Sequence, residues 1–380
     1  MKSIIYADNA ATTKLDIEAF EEMKPFLTEE YGNPSQPYSF AKSQKNALKK
    51  SREIIARSIN AEPEQIFFTS GGTESDNWVI KEFGVPTDEK RIITSSIEHH
   101  AIINACECMR ASNRATVTFL PVDSKGLVLT KTLEEALKYD RQSNSYPAST
   151  LVSIMMANNE IGTVQDIKEL CRISHNQEAL FHTDAVQVVG HLPIDVKELG
   201  IDFLSASSHK FNGPRGIGFL YIKNGNLSIL HNGGMQEKGL RAGTENVAAI
   251  VGMARALENN CKRIKENAEH ISSLERKLLN SLSDLSFVRN GSNNCLPGNI
   301  SLSFKGFEGE LILHRMDLMG ICISTGSACD SVNTQTSHVL KSIGLEEEYA
   351  IGTIRISLGK DNTEQDVDEI AYALHRILNS

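Results

Sequence analysis

The sequence has 380 residues, 40% of them hydrophobic and 23% charged, with a formal net charge of −9. That describes an ordinary globular chain, and at about 100–200 residues per domain it is long enough for two domains, or one large one with an appendage. The acidic balance argues against a general nucleic-acid binder, which carries a basic face, and seven cysteines without a C-x-x-C spacing argue against a disulfide framework and a structural metal.

The first residues, MKSIIYAD, lack the apolar run and small-residue cleavage site of a signal peptide, and apolar stretches such as 151–157 (LVSIMMA) are too short to span a bilayer. A cytoplasmic protein without membrane contact is expected. Short apolar runs predict strands at 65–69, 91–95, 116–121, 150–156, 179–183, 203–206 and 218–222. Helical periodicity falls between most of them, for example at 75–83, 133–139 and 167–176. Such alternation predicts an α/β fold with a mostly parallel sheet covered on both faces. From Val247 the pattern changes. Apolar residues at Ile250, Ala254, Leu257, Cys261, Ile264, Ala268 and Ile271 trace one face of a long helix, which leads into a smaller α+β domain. The expected division is a large domain over 15–250 and a small one from 1–14 with 251–380.

Several segments carry chemically capable residues. In FTSGGTES (68–75) an apolar strand runs into Gly71, Gly72 and Thr73 at a helix start. This is an anion-binding arrangement, although a simply capped turn reads the same way. His99 ends the 91–95 strand, where it could stack on a planar group or serve structure. Asp184 closes an apolar strand, at the sheet edge where parallel folds bind ligands, and equally could cap a helix. Lys210 follows a strand and small hydroxyl residues, and precedes a glycine-rich turn. Cys329 lies among small and polar residues, either as a nucleophile or as an incidental exposed thiol. Arg355 sits inside an apolar strand and needs an anionic partner, from a substrate carboxylate or from the protein. A lysine, a buried acid and a phosphate cradle are what a pyridoxal-phosphate site requires, and these segments supply one of each.

Together the segments resemble the cysteine desulfurases, the NifS/IscS-like group of the class-V aminotransferase family. The matching motifs are DNAATT (8–13), YGNPS (31–35), FTSGGTESDN (68–77), EHHA (98–101), NNEIG (158–162), HTDAVQ (182–187), SSHKFNGPRG (207–216), GLRAGTEN (239–246), STGSAC (324–329) and IRISLG (354–359). The resemblance implies a fold type I pyridoxal 5'-phosphate enzyme, homodimeric, with active sites at the subunit interface. It implies that Lys210 carries the cofactor, that Asp184 faces the ring nitrogen, and that Gln187 meets the ring hydroxyl. His99 is implied to stack on the ring and shuttle protons. Gly72, Thr73, Ser207 and His209 are implied at the phosphate, with Thr244 donated by the second subunit. Asn159, Arg355 and Asn33 are implied at the substrate, L-cysteine, and Cys329 as the sulfur acceptor. An iron–sulfur scaffold or a tRNA-thiolation protein is the kind of partner implied, although the sequence ends at Ser380 without the tail that helps housekeeping members dock a scaffold. Other readings on the same fold are a selenocysteine lyase, another class-V enzyme, and an inactive sulfur-carrier subunit.

Overall fold

The computed structural model describes residues 4–84, 90–138, 149–225, 227–325 and 336–379. Its strands are β1 (Ile5–Tyr6), β2 (Ile66–Thr69), β3 (Lys90–Ser95), β4 (Ala115–Leu120), β5 (Ser149–Ser153), β6 (Leu180–Asp184), β7 (Phe203–Ser207), β8 (Gly218–Ile222), β9 (Val288–Arg289), β10 (Asn299–Ser303), β11 (Ile321–Cys322) and β12 (Thr353–Ser357). The main sheet runs in the order β2-β8-β7-β6-β5-β3-β4. Only β8 runs against the other strands of this sheet. Strands β2, β3, β6, β7 and β8 are buried almost throughout, and β2 (IFFT) and β8 (GFLYI) accordingly read as continuous apolar runs rather than as alternating ones.

Helices close both faces of this sheet, and their starts are fixed by side-chain caps. Asp166 accepts the Glu169 amide at the head of Ile167–His175, and Asp195 accepts the Lys197 and Glu198 amides at the head of Val196–Leu199. A second core lies around the three-stranded antiparallel sheet β12-β10-β9. Ile5 and Ala7 join it alongside Leu274, Leu302, Ile356 and Ile370, because β1 pairs in parallel with β11. The amino-terminal segment is therefore stitched to the carboxyl-terminal third, and the Asp8–Thr13 turn lies between the two cores.

Two sequence expectations change. The strand expected over 150–156 ends at Ser153. Ile154–Met156 stay buried but leave the sheet, and the amides of Ile154 and Met156 bond to the carbonyls of His182 and Asp184 across the strand ends. The long helix after Val247 is two helices, Val247–Lys262 and Ile264–Ser281, broken at Arg263 (φ −121°, ψ 15°). The apolar stripe itself explains the break. Ile250, Ala254 and Leu257 pack into the first core while Ile271, Leu274 and Leu278 pack into the second, so the chain turns between them.

Candidate active site

The carboxyl ends of β2, β3, β5, β6 and β7 open into one cavity of about 390 Å³ between the two cores. Gly72, Thr73, His99, Asn159, Asp184, Gln187, Ser207, His209, Lys210 and Arg355, all singled out from the sequence, line it together. Gly71 takes a φ of 151° at the end of β2, and the helix Gly72–Glu82 starts at once. A Cβ on Gly72 would stand 2.5 Å from Val186 Cγ2, so only glycine lets this turn approach the β6 loop. The first-turn amides of that helix, the Thr73 and Ser207 hydroxyls and the His209 ring border the anion end.

Lys210 closes a short 3₁₀ turn after β7. Its Nζ donates to the carbonyls of Ala10 (2.6 Å) and Ala11 (2.9 Å). Its own carbonyl is bonded by His191 Nε2 at 2.8 Å. Gln187 Nε2 donates to the same Ala10 carbonyl at 3.1 Å. The DNAATT turn is thus the floor against which the lysine is held.

Asp184 is buried, with Oδ1 accepting the Val186 amide at 2.9 Å. Burial raises its pKa to about 6, while the Val186 amide and the Lys210 charge act the other way. A cation at a ring nitrogen would complete the pairing and hold it ionised. His99 is lowered to about 4 by burial and by its neighbours Lys210 and His100. It is therefore neutral, and its Nδ1 accepts the Ala101 amide at 3.1 Å as cap of the helix His100–Ala111. That bond assigns the proton to Nε2. Burial and the Lys210 and Arg215 charges likewise lower His209 to about 4, and its Nδ1 lies 3.1 Å from the Thr12 hydroxyl.

Arg355 is 3% exposed and already engaged. Nη2 meets Asp8 Oδ1 at 2.7 Å and Nη1 donates to the Asn159 carbonyl at 3.0 Å, while Nε has no partner among the described residues. The internal ion pair and a place in the cavity wall therefore coexist.

Asn33 and Thr244 do not reach this cavity in the single chain. Asn33 Oδ1 accepts the Ser35 amide at 2.9 Å within its own turn, and Thr244 is exposed. Cys329 lies outside the described residues. Sequence reasoning missed Asp76, Glu98, His100 and His338, which also line the cavity. A signal existed for Asp76. It falls on the buried stripe Gly72, Asp76, Val79, Ile80, where a surface acid does not belong.

Glu98 is fully buried and accepts the Ser95 hydroxyl and the Met155 amide. Burial dominates over these bonds and raises it to about 8. An acid whose pKa rises on folding adds stability that is fully present below its ordinary value of 4.5 and is lost as pH climbs through about 8. In the cofactor-free protein Glu98 should therefore contribute a fall in melting temperature between about pH 5 and pH 8, opposed up to about pH 6.5 by His99 and His209, and Glu98→Gln should remove that falling component. A tenfold change in the proton affinity of the group is worth about 1.4 kcal/mol. Calorimetry across this range checks it, and equal slopes in the two proteins would contradict it.

Pyridoxal phosphate fits these groups. The helix that starts at Gly72 brings its first-turn amides and Thr73 to the cavity, and a buried carboxylate, Asp184, and a primary amine, Lys210, line the same cavity. Among the described residues no cluster of metal-ligating side chains occurs, and no helix is long and apolar enough to cross a membrane.

Comparison with known proteins agrees with this donor set. The family model for aminotransferase class V matches residues 5–370, and the chain belongs to that family, a pyridoxal-phosphate-dependent one. Within it the chain sits among the cysteine desulfurases. It is 45% identical to "Cysteine desulfurase IscS" of Clostridium botulinum, across 100% of this chain and 95% of that protein. Among solved structures, a NifS-like protein superposes with a TM-score of 0.91 at 37% identity, covering 99% of each chain. SspA in complex with cysteine superposes with a TM-score of 0.79 at 35% identity, covering 94% of this chain and 100% of that one.

Proposed function

We propose that the protein converts L-cysteine to L-alanine and receives the sulfur on Cys329 as a persulfide, working as a homodimer. The observation that carries this reading is the convergence of Lys210, Asp184, the Gly72–Thr73 cradle and Arg355 on one cavity, in a chain 45% identical over its whole length to a cysteine desulfurase. The reaction balances without an external oxidant. The C–S bond of cysteine breaks, an S–S bond forms at Cys329, and the thiol proton replaces sulfur on the carbon skeleton.

Pyridoxal phosphate, when bound, supplies the electron sink for the pair left at the substrate α-carbon. The chain's own residues do the rest. Lys210 would hold the cofactor, and its amine, when free, is the group placed to take the α-proton. Asp184 keeps the charge of the ring nitrogen paired. Gln187, held by Ala10, is set for the ring hydroxyl. The neutral His99 presents its Nε2 proton from a ring fixed by the helix it caps. Arg355 offers its fork to the substrate carboxylate, and Asn159, whose carbonyl Arg355 holds, borders the same place. The exposed Thr244 suits donation to the phosphate site of the other subunit. The sulfur passes onward to an acceptor protein, such as an iron–sulfur scaffold or a tRNA-thiolation protein.

The deciding experiment is intact mass after L-cysteine without reductant, on wild type and Cys329→Ser side by side. A gain of one sulfur in wild type only, with alanine released, is expected. Equal gain in both proteins would move the acceptor elsewhere, and no gain in either with cofactor bound would overturn the reaction.

A further inference from the structure

Beneath Asp184 lies a second buried polar layer that the reaction as described does not use. Asp76, one turn into the helix Gly72–Glu82, is 1% exposed, lines the cavity, and has no hydrogen-bond partner at Oδ1 among the described residues. The nearest basic atom is His182 Nε2 at 3.7 Å. His182 is fully buried, and its ring nitrogens are already taken by serine hydroxyls, Nδ1 with Ser153 at 2.8 Å and Nε2 with Ser205 at 3.0 Å. Burial lowers its pKa to about 3, so it stays a neutral ring and brings no charge to Asp76. His182 and Asp184 are two apart on β6 and so share one face of the sheet, and Ser205 is the register partner of Asp184 on β7. The other titratable groups that act on Asp76 are Asp184 and Glu98, both acids.

We propose that Asp76 is a neutral carboxylic acid in the loaded enzyme, a positioning residue behind Asp184 that leaves the negative charge at the ring nitrogen to Asp184. The inference rests on the reading of Asp184 as partner of that nitrogen. Two buried carboxyls on one cavity cannot both ionise cheaply, so the proton goes to the one with less support. Asp184 has the Val186 amide, the nearby Lys210 charge and the cofactor's own cation. For Asp76 the Ser205 hydroxyl alone favours the ionised form, while burial and the two neighbouring acids oppose it. The arrangement fixes the charge count at the ring nitrogen.

Infrared spectra of the cofactor-loaded protein test this. Wild type grown with isotope-labelled aspartate should show a protonated-carboxyl stretch that shifts with the label, which separates it from Glu98, and Asp76→Asn should lose that band. The visible absorbance of the bound cofactor, titrated with acid and base, supplies a second reading. Asp76→Asn, neutral and of the same shape, should keep the midpoint within about 0.3 pH unit, whereas Asp184→Asn should move it by more than about one pH unit. No labelled band in wild type, or a midpoint moved by about one pH unit in Asp76→Asn, would overturn the proposal. If Asp76→Asn yields no folded protein, the labelled band of Asp184→Asn decides instead, since a band that belongs to Asp76 persists there and one that belongs to Asp184 is lost, which would overturn the proposal. An unmoved midpoint in Asp184→Asn would instead sink the reading of Asp184, with the Asp76 band judged separately.

Discussion

Lys210→Ala should abolish alanine release from L-cysteine, with a loss on the order of 10²–10⁴-fold from the missing proton carrier alone. Among the described residues the cavity wall includes no second lysine, and the neighbouring base is poorly placed to substitute. His99 is neutral, and its acceptor nitrogen is spent on the Ala101 amide. The same variant should still bind pyridoxal phosphate through the Gly72–Thr73 cradle and Asp184, but without covalent attachment. Borohydride treatment followed by intact mass separates the two cases, since the cofactor mass is fixed to wild type and washed away from the variant. Folding should survive. The Ala10 carbonyl keeps its bond from Gln187, and the Ala11 carbonyl loses a donor at a cost of about 1–3 kcal/mol if water does not replace it. Residual turnover above roughly a tenth of wild type would remove Lys210 from both of its roles.

How far these roles could be read from the chain differs from residue to residue. The strands were legible because the main sheet is covered on both faces, which leaves unbroken apolar runs such as IFFT and GFLYI. The residues at their carboxyl ends followed from the same geometry, and most of them meet in one cavity. Reading failed where burial and strand pairing part company. Ile154–Met156 look like strand continuation but bond to the ends of β6 instead. It failed again where one apolar stripe serves two cores, as at Arg263. Glu98 passed as an ordinary acid because its burial depends on which elements surround it, and no local spacing encodes that, whereas Asp76 lies on a helical stripe that was there to read. The ion pair of Arg355 with Asp8 joins residues 347 positions apart. The sequence could state only that a buried arginine needs an anion, without saying which.

That pair shapes the second large effect. Arg355→Lys should raise the KM for L-cysteine by roughly 10–100-fold while kcat changes only a few-fold. Charge is conserved in this substitution, so the prediction rests on geometry. The guanidinium reaches Asp8 with Nη2 and the Asn159 carbonyl with Nη1, and it still has N–H bonds to give. An ammonium on a flexible stem cannot serve all three directions at once. One charge-assisted hydrogen bond is worth about 1.5–3 kcal/mol, and at about 1.4 kcal/mol per tenfold that yields the stated range. Because Asp8 already balances the charge of Arg355, the substrate carboxylate should be held by the shape of the fork more than by net attraction, and the KM should depend only weakly on salt. Cysteine methyl ester provides the control. It lacks the carboxylate, so wild type and Arg355→Lys should bind it about equally. A variant that loses the ester as badly as cysteine has lost the Asp8–Asn159 scaffold instead, and Arg355 would then be a structural residue of the cavity wall.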